Sequence, residues 1–330
     1  MNKKLLVLAV SALGASQAFA ETEIELWHAM GGALGEKVDE IVAEFNGSQS
    51  DYVVNATYRG NYNDTMTGAI AAFRSGEQPE IVQVYEVGTA TMMAAEGAIY
   101  PMYQMMDELS DGFNQEDYLS SVTGYYADEN GNMLSMPFNS STPVLYYNKA
   151  MFAEAGLPDR GPRTWEEMDE FGNKLLEAGY DCGFTTAWQS WIHLENLSAR
   201  HNVPFATQQN GFGGLDTELV FNSDVQIAHI EQMGEWQQEG IFSYSGRTNE
   251  GSAKFYSENP GTDTSINQMT AVEPTANSRG LRLGNFPQIR GIIDEALESV
   301  WNGEATAEEA LNTATSRGND QLRRFERANR

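Results

Sequence analysis

Cations are scarce in this chain. It carries 20 Lys and Arg against 47 Asp and Glu, a formal charge of −27, and only six of the cations are lysines. Such a surface repels phosphate backbones and anionic lipid, so nucleic acid and an anionic membrane surface are excluded as partners. It also sets a condition: an anionic ligand must be held by a local pocket of cationic or hydrogen-bond-donating groups. Cysteine is nearly absent as well. Cys182 stands alone, so no disulfide can form within the chain, and its expected place is that of a small buried residue. The four histidines, His28, His193, His201 and His229, fall in neither H-E-x-x-H nor H-x-H spacing, and zinc chemistry has no support. There is no G-x-S-x-G elbow. The segment GGALGEK lacks the spacing and the following Ser or Thr of a phosphate-binding loop. Acidic pairs such as Glu166–Glu167 read as solvated helix surface. No metal, no cofactor and no enzymatic activity are therefore expected. Beyond the first twenty residues no apolar run is long enough to span a bilayer, and no membrane insertion is expected.

What is present begins with a leader. Lys3 and Lys4 precede the apolar run Leu5 to Ala15, and Ala18-Phe19-Ala20 is a small-x-small cleavage site. Residues 1–20 therefore read as a secretory signal peptide, and a soluble periplasmic protein starting near Glu21 is expected. Losing Lys3 and Lys4 with the leader takes the charge to −29.

Strands and helices then alternate. Ile24 to Met30, Asp51 to Tyr58 and Pro79 to Glu86 read as strands. A helix from about Ala33 to Asn46 places Leu34, Val38, Ile41, Val42 and Phe45 on one face, and a second directs Met66, Ile70 and Phe73 inward and stops at Gly76. A second α/β region contains an extended run from Pro143 to Tyr147. It also holds a helix capped by Thr164 with Glu167 at the capping-box position, a strand in DCGFTTAW, and helices in SWIHLENLSARHN and SDVQIAHIEQMGEWQQEG. From Ser257 onward no convincing strand occurs, and the C-terminal stretch is almost all helix. The alternation predicts an α/β fold with mostly parallel, doubly wound sheets, whose ligands lie outside the carboxyl ends of the strands.

Several residues suit recognition rather than catalysis. Glu86, in VYEVG, can accept two hydrogen bonds from vicinal hydroxyls; a surface glutamate at a helix N-terminus fits its position equally well. Trp188 and Trp191, in WQSW, can cover C–H surfaces of a polyol, although core packing is the commoner fate of tryptophan. Ser140 and Ser141 suit an oxygen-rich ligand or an ordinary turn. Arg282 and Arg290, in LRLGNFPQIR, stand near a helix start, as ligand anchors or as helix-surface ion pairs.

Taken together the segments are more specific. The opening IELWHAMGGALGEKVDEIVAEFN, and STPVLYYNKAMFAEAGL followed by RTWEEM, resemble the family-1 extracellular solute-binding proteins of ABC transporters. The resemblance covers Ile24 to Tyr256 and continues to about Phe325. YRGNYNDTMTGAIAAFRSGEQPEIVQVYEVG, WQSWIHLEN and LRLGNFPQIRGIIDEALESVWNG narrow it to the branch that takes sn-glycerol 3-phosphate. What this implies is a two-lobed periplasmic-binding-protein fold joined by a hinge that closes on its ligand. The expected division is 1–20 signal peptide, 21–128 N-terminal lobe, 129–256 C-terminal lobe and 257–330 a helical segment on the second lobe. The implied ligand is sn-glycerol 3-phosphate, with glycerophosphodiesters such as glycerophosphocholine, delivered to the transmembrane subunits of an ABC permease; a monomer is expected. The ligand-contacting positions that carry over are Tyr62, Glu86, Ser141, Trp188, Trp191 and Arg290. Arg290 and Ser141 would hold the phosphate, Glu86 the glycerol hydroxyls, and the tryptophans the carbon chain. A sugar binder of the same family remains an alternative. A secreted glycerophosphodiesterase is disfavoured for want of a metal-ligand cluster.

The resemblance also implies a loss. In the family a block of strands and hinge crossings separates two Phe-Tyr points that coincide here at Phe255–Tyr256. Ligand contacts in that block have no counterpart, so an incomplete fold, weak binding and marginal stability are expected.

Overall fold

β1 (Thr22–His28) is the centre of a small parallel sheet. In the computed structural model, which describes residues 21–95, 97–109, 114–128, 130–245 and 262–330, it pairs with β2 (Tyr52–Tyr58) on one side and β3 (Ile81–Val82) on the other. Leu26 aligns with both Ala56 and Ile81. The connections are α1 (Gly32–Ser48) and α2 (Tyr62–Ser75). The order β2-β1-β3 makes these crossovers travel in opposite directions, so right-handed connections put the helices on opposite faces. This is the doubly wound pattern that the alternation predicts.

Local chemistry fixes the ends. Asn61 caps α2 by accepting from the Asp64 amide at 3.0 Å. Gly76 ends it in the left-handed region, φ +73°. Asn46, in the last turn of α1, bonds both the N–H and the C=O of Val54, at 2.9 and 3.0 Å. Those groups lie on the outer edge of β2, which is thereby blunted. Two expectations are corrected here. β3 ends at Val82 rather than Glu86, because the Gln83 side chain turns back to accept from the Ala29 amide at 2.9 Å, and Glu86–Gly88 form a 3₁₀ turn. Of the apolar face expected on α1 only Val38 is buried; Leu34, Ile41 and Phe45 are 63%, 55% and 42% exposed.

The described residues fall into two compact units, divided between Val84 and Tyr85. The second opens with short helices, α3 (Thr89–Ala94), α4 (Met102–Leu109) and α5 (Ser120–Tyr126). Residues 135–148 run without regular structure, so the expected extended segment at Pro143–Tyr147 pairs with no strand. α6 (Lys149–Glu154) and α7 (Trp165–Glu177) follow. Thr164 caps α7 as expected, accepting from the Glu167 amide at 3.2 Å. The Glu167 carboxylate does not bond the Thr164 amide to complete the box; it accepts from the Arg163 amide and, with charge assistance, twice from Arg160, each at 2.7 Å. β4 (Phe184–Thr186) pairs in parallel with β5 (Phe242–Tyr244). Between them lie a π-type turn, Ser190–Glu195, then α8 (Asn196–Arg200) and α9 (Asp224–Glu239). After α10 (Thr262–Met269) the chain ends in the long helices α11 (Phe286–Trp301) and α12 (Ala307–Asn329). Among the described residues no strand follows β5, as the sequence predicts. Cys182 is half-buried rather than buried, and burial pushes its thiol pKa up.

The core of this unit is a layer of helices on the β4–β5 pair. Phe205, Phe221, Phe242, Phe286, Leu194, Ile230, Met233, Ile289, Leu297 and Leu311 are fully enclosed. Each such side chain contributes roughly 1.5–3 kcal/mol of transfer free energy. α11 and α12 form an antiparallel hairpin turned at Gly303, φ +71°, with Thr306 and Glu309 in a reciprocal capping box at the start of α12. Among the described residues no helix is long and apolar enough to cross a membrane.

Candidate ligand-binding site

The start of α11 sets the position of Arg290. Asn285 takes a left-handed conformation, φ +50°, and Pro287 occupies the first turn, where its missing N–H costs nothing. Phe286 and Ile289 point into the core, so the next residue along, Arg290, is carried at its edge with its side chain only 14% exposed. Its guanidinium lies 4.9 Å from the Phe286 ring centroid.

Two carboxylates meet it. Glu195, at the end of the π-type turn, accepts from Arg290 Nε and Nη2, both at 2.7 Å. Glu86, opening its 3₁₀ turn, accepts from Nη2 at 2.9 Å. Burial works against the guanidinium charge, yet Glu195 and then Glu86 more than compensate, and the Arg290 pKa is pushed above its ordinary value. Burial pushes Glu195 up while Arg290 pulls it back. Its two oxygens accepting from one guanidinium are the arrangement of an ionised carboxylate, and the pair stands as an ion pair.

Each partner is held from behind. The Glu86 backbone carbonyl accepts from the Tyr125 hydroxyl, which also bonds Thr89 Oγ1 at 2.9 Å; burial pushes the Tyr125 phenol well above its usual range. Tyr85 is shifted up by burial as well, against the opposing pull of Arg290. The segment bearing Glu195 is tied along α11: Gln189 donates to the Asp294 carbonyl at 3.2 Å and accepts from the Trp301 indole. Gln189 thus grips the later turns of α11 and Glu195 the first. The i→i+5 bond from the Asn196 amide to the Trp191 carbonyl defines the wider turn between them. Such turns recur at functional sites.

The expected residues fall into place unevenly. Glu86 and Arg290 are brought into direct contact. Trp188 and Trp191 flank the Gln189 anchor. Trp188 is half-exposed with φ +55°, a strained conformation for so bulky a residue. Trp191 is partly buried. Ser141 is exposed in the irregular segment, whose next two residues accept from the Gln268 side chain, Thr142 Oγ1 at 2.8 Å and the Pro143 carbonyl at 2.6 Å. Tyr62 begins α2, in the first unit. Arg282 makes no helix-surface ion pair: it is buried, donates to the Tyr125 and Ala127 carbonyls at 2.7 and 3.0 Å, and stacks 4.3 Å from the Phe212 ring. Glu195, Gln189 and Tyr125 carry no local signal that marks them as site residues. Glu195 lies inside the segment SWIHLEN, but a pairing across 95 residues has no local signature. Among the described residues no cluster of three or more His, Cys, Asp or Glu could hold a metal.

Comparison with known proteins adds an independent line. Residues 31–258 match the family model described as bacterial extracellular solute-binding protein. The sn-glycerol-3-phosphate-binding periplasmic protein UgpB of Escherichia coli K12 is 37% identical over 428 aligned positions, spanning 98% of this chain and 97% of that protein. UgpB of Yersinia enterocolitica is 36% identical over 435 positions, spanning 100% and 99%. Among solved structures, UgpB from Mycobacterium tuberculosis in complex with glycerophosphocholine superposes with a TM-score of 0.66 at 17% identity, over 92% of this chain and 99% of that one. The sugar-binding protein MalE from Xanthomonas citri gives 0.69 at 13%, over 92% and 98%. An alignment of 428 positions against a chain of 330 residues leaves at least 98 positions of the E. coli protein opposite a gap. The expected junction at Phe255–Tyr256 lies outside the described residues, and the family match ends two residues beyond it, at 258.

Proposed function

The chain belongs to the bacterial extracellular solute-binding protein family, and on that premise we propose that it is the periplasmic binding component of an ABC importer for sn-glycerol 3-phosphate and its diesters. The observation that carries the ligand assignment is Arg290. In a chain with so few cations, this one is held at the rim of the core, charged, between two carboxylates. A guanidinium in that setting is a charge-assisted donor for a phosphate oxygen. The Glu86 carboxylate beside it, 44% exposed, suits glycerol hydroxyls. Trp188 and Trp191 would cover the carbon chain. Ser141 and Tyr62 complete the set by relationship to the family. Residues 1–20 are read as the leader that exports the chain. Lobe boundaries near 128 and 256, a monomeric state, a permease partner and the lack of enzymatic chemistry belong to the same reading.

The missing positions weigh against tight binding. A site whose relatives draw contacts from a segment absent here binds with fewer partners and a less constrained hinge. Calorimetric titration of the mature chain tests the whole reading. Weak binding of sn-glycerol 3-phosphate, above micromolar Kd, abolished by Arg290→Ala and unmatched by maltose, is expected. Binding of maltose without a response to glycerol 3-phosphate would overturn the ligand assignment; micromolar or tighter binding of glycerol 3-phosphate would overturn the expected weakness.

A further inference from the structure

Resting on the reading of Arg290 as the anion anchor, we propose that Glu195 positions that anchor and sets which phosphate charge the site prefers. Its oxygens take the Nε–Nη2 edge of the guanidinium, both at 2.7 Å, so that edge is closed to a ligand. Only the Nη1 side and the Nη2 proton now facing Glu86 remain for an incoming oxygen. The side chain of Glu195 is 8% exposed and that of Glu86 is 44%. Glu86 can swing into water when a ligand arrives; Glu195 cannot, because Gln189 fixes its turn against α11. Its charge is therefore a permanent part of the site.

The charge count has a chemical consequence. Once Glu86 swings out, the fixed Glu195 carboxylate still offsets the guanidinium charge, so an incoming phosphate meets no net positive charge. A phosphomonoester carries a charge of about −1.5 to −2 at neutral pH, a diester only one negative charge. Repulsion scales with the ligand's charge, so the fixed carboxylate penalises the monoester about twice as much. Glu195 thus biases the site toward the diester.

The test compares sn-glycerol 3-phosphate with glycerophosphoglycerol, a diester without a cationic head, at about pH 8, above the second phosphate pKa of about 6. Dissociation constants are measured for the wild type, Glu195→Gln and Glu195→Asp. Glutamine keeps the shape and one acceptor but removes the charge; aspartate keeps the charge and shortens the reach. In E195Q the diester-to-monoester affinity ratio is expected to fall about fivefold or more. In E195D both affinities fall and the ratio stays that of the wild type. An unchanged ratio in E195Q, with both ligands weakened alike, makes Glu195 merely structural and overturns the proposal. If E195Q does not fold, the ratio is measured in the wild type at low and high salt instead: screening lowers it if the fixed charge sets it, and a ratio unmoved by salt overturns the proposal. A wild type that binds neither ligand overturns the underlying reading of Arg290, a different outcome from a wild type that binds both with a ratio indifferent to position 195.

Discussion

Arg290→Ala does more than delete a cation. It leaves the Glu195 carboxylate, 8% exposed, without the two bonds that satisfy it. Breaking a buried pair from one side costs about 3–5 kcal/mol, whereas removing both charges together is close to neutral. The double variant Arg290→Ala/Glu195→Gln is therefore expected to be more stable than Arg290→Ala alone, by about 1–3 kcal/mol. Urea midpoints of the three proteins check this. A double variant no more stable than the single would mean that Glu195 finds water or another partner once Arg290 is gone. The same pair marks the limit of reading residues from sequence. Arg290 is recognisable by its place after Pro287 in a cation-poor chain. Glu195 has the composition of a solvated helix residue, and only the packing of its turn on α11 makes it a buried counter-ion.

At the scale of elements, the π-type turn carries a second buried titratable group. His193 is 3% exposed, with Nε2 2.7 Å from Thr186 Oγ1 on β4, and its ring lies 5.9 Å from that of His229 on α9. Burial depresses the His193 pKa to about 3, aided by His229; burial and then His201 depress His229 to about 4. Both are neutral in the folded chain at pH 7. The unfolded chain takes up protons below its ordinary histidine pKa of about 6.5, which the native state does not. Their contribution to stability is thus full above about 6.5 and is lost as pH falls toward the folded values. Thermal melts from pH 7.5 down to 4.5 should show Tm falling, with a shallower slope in His193→Gln. Parallel slopes would assign the loss to carboxylates instead. Element by element, the sequence announced the helices α1, α2, α7 and α9, because capping and periodicity are local. It overstated β3, because strand pairing depends on a neighbour that no local pattern reveals. The left-handed residues Gln208, Gln209 and Asn210 escaped it for the same reason. They are held by tertiary bonds: the Asn210 side chain caps the Phe205 and Ala206 amides and its carbonyl accepts from Arg282. Gly211, φ +88°, must be glycine there, since a Cβ would sit 2.1 Å from the Arg282 carbonyl oxygen.

For the molecule as a whole, the question is what the positions of its relatives that have no counterpart here would add. In the first unit every large apolar residue on the rim of α1, Leu34, Ile41 and Phe45, is exposed, and so is Ile81 of the two-residue strand β3. A three-stranded sheet with a bare strand edge and a half-covered helix buries too little apolar surface to be firm. Grafting the missing positions of the E. coli relative between Phe255 and Tyr256 should therefore act on stability and binding together. The urea midpoint should rise, binding of a dye that reports exposed apolar surface should fall, and affinity for glycerol 3-phosphate should tighten by tenfold or more, since a completed hinge and added contacts of about 1.4 kcal/mol suffice for each factor of ten. Loss of dye binding without tighter ligand binding would place the missing contacts in the scaffold and not in the site. No change in either would mean that the shorter chain is a finished protein, with its exposed α1 rim serving some purpose other than the one lost.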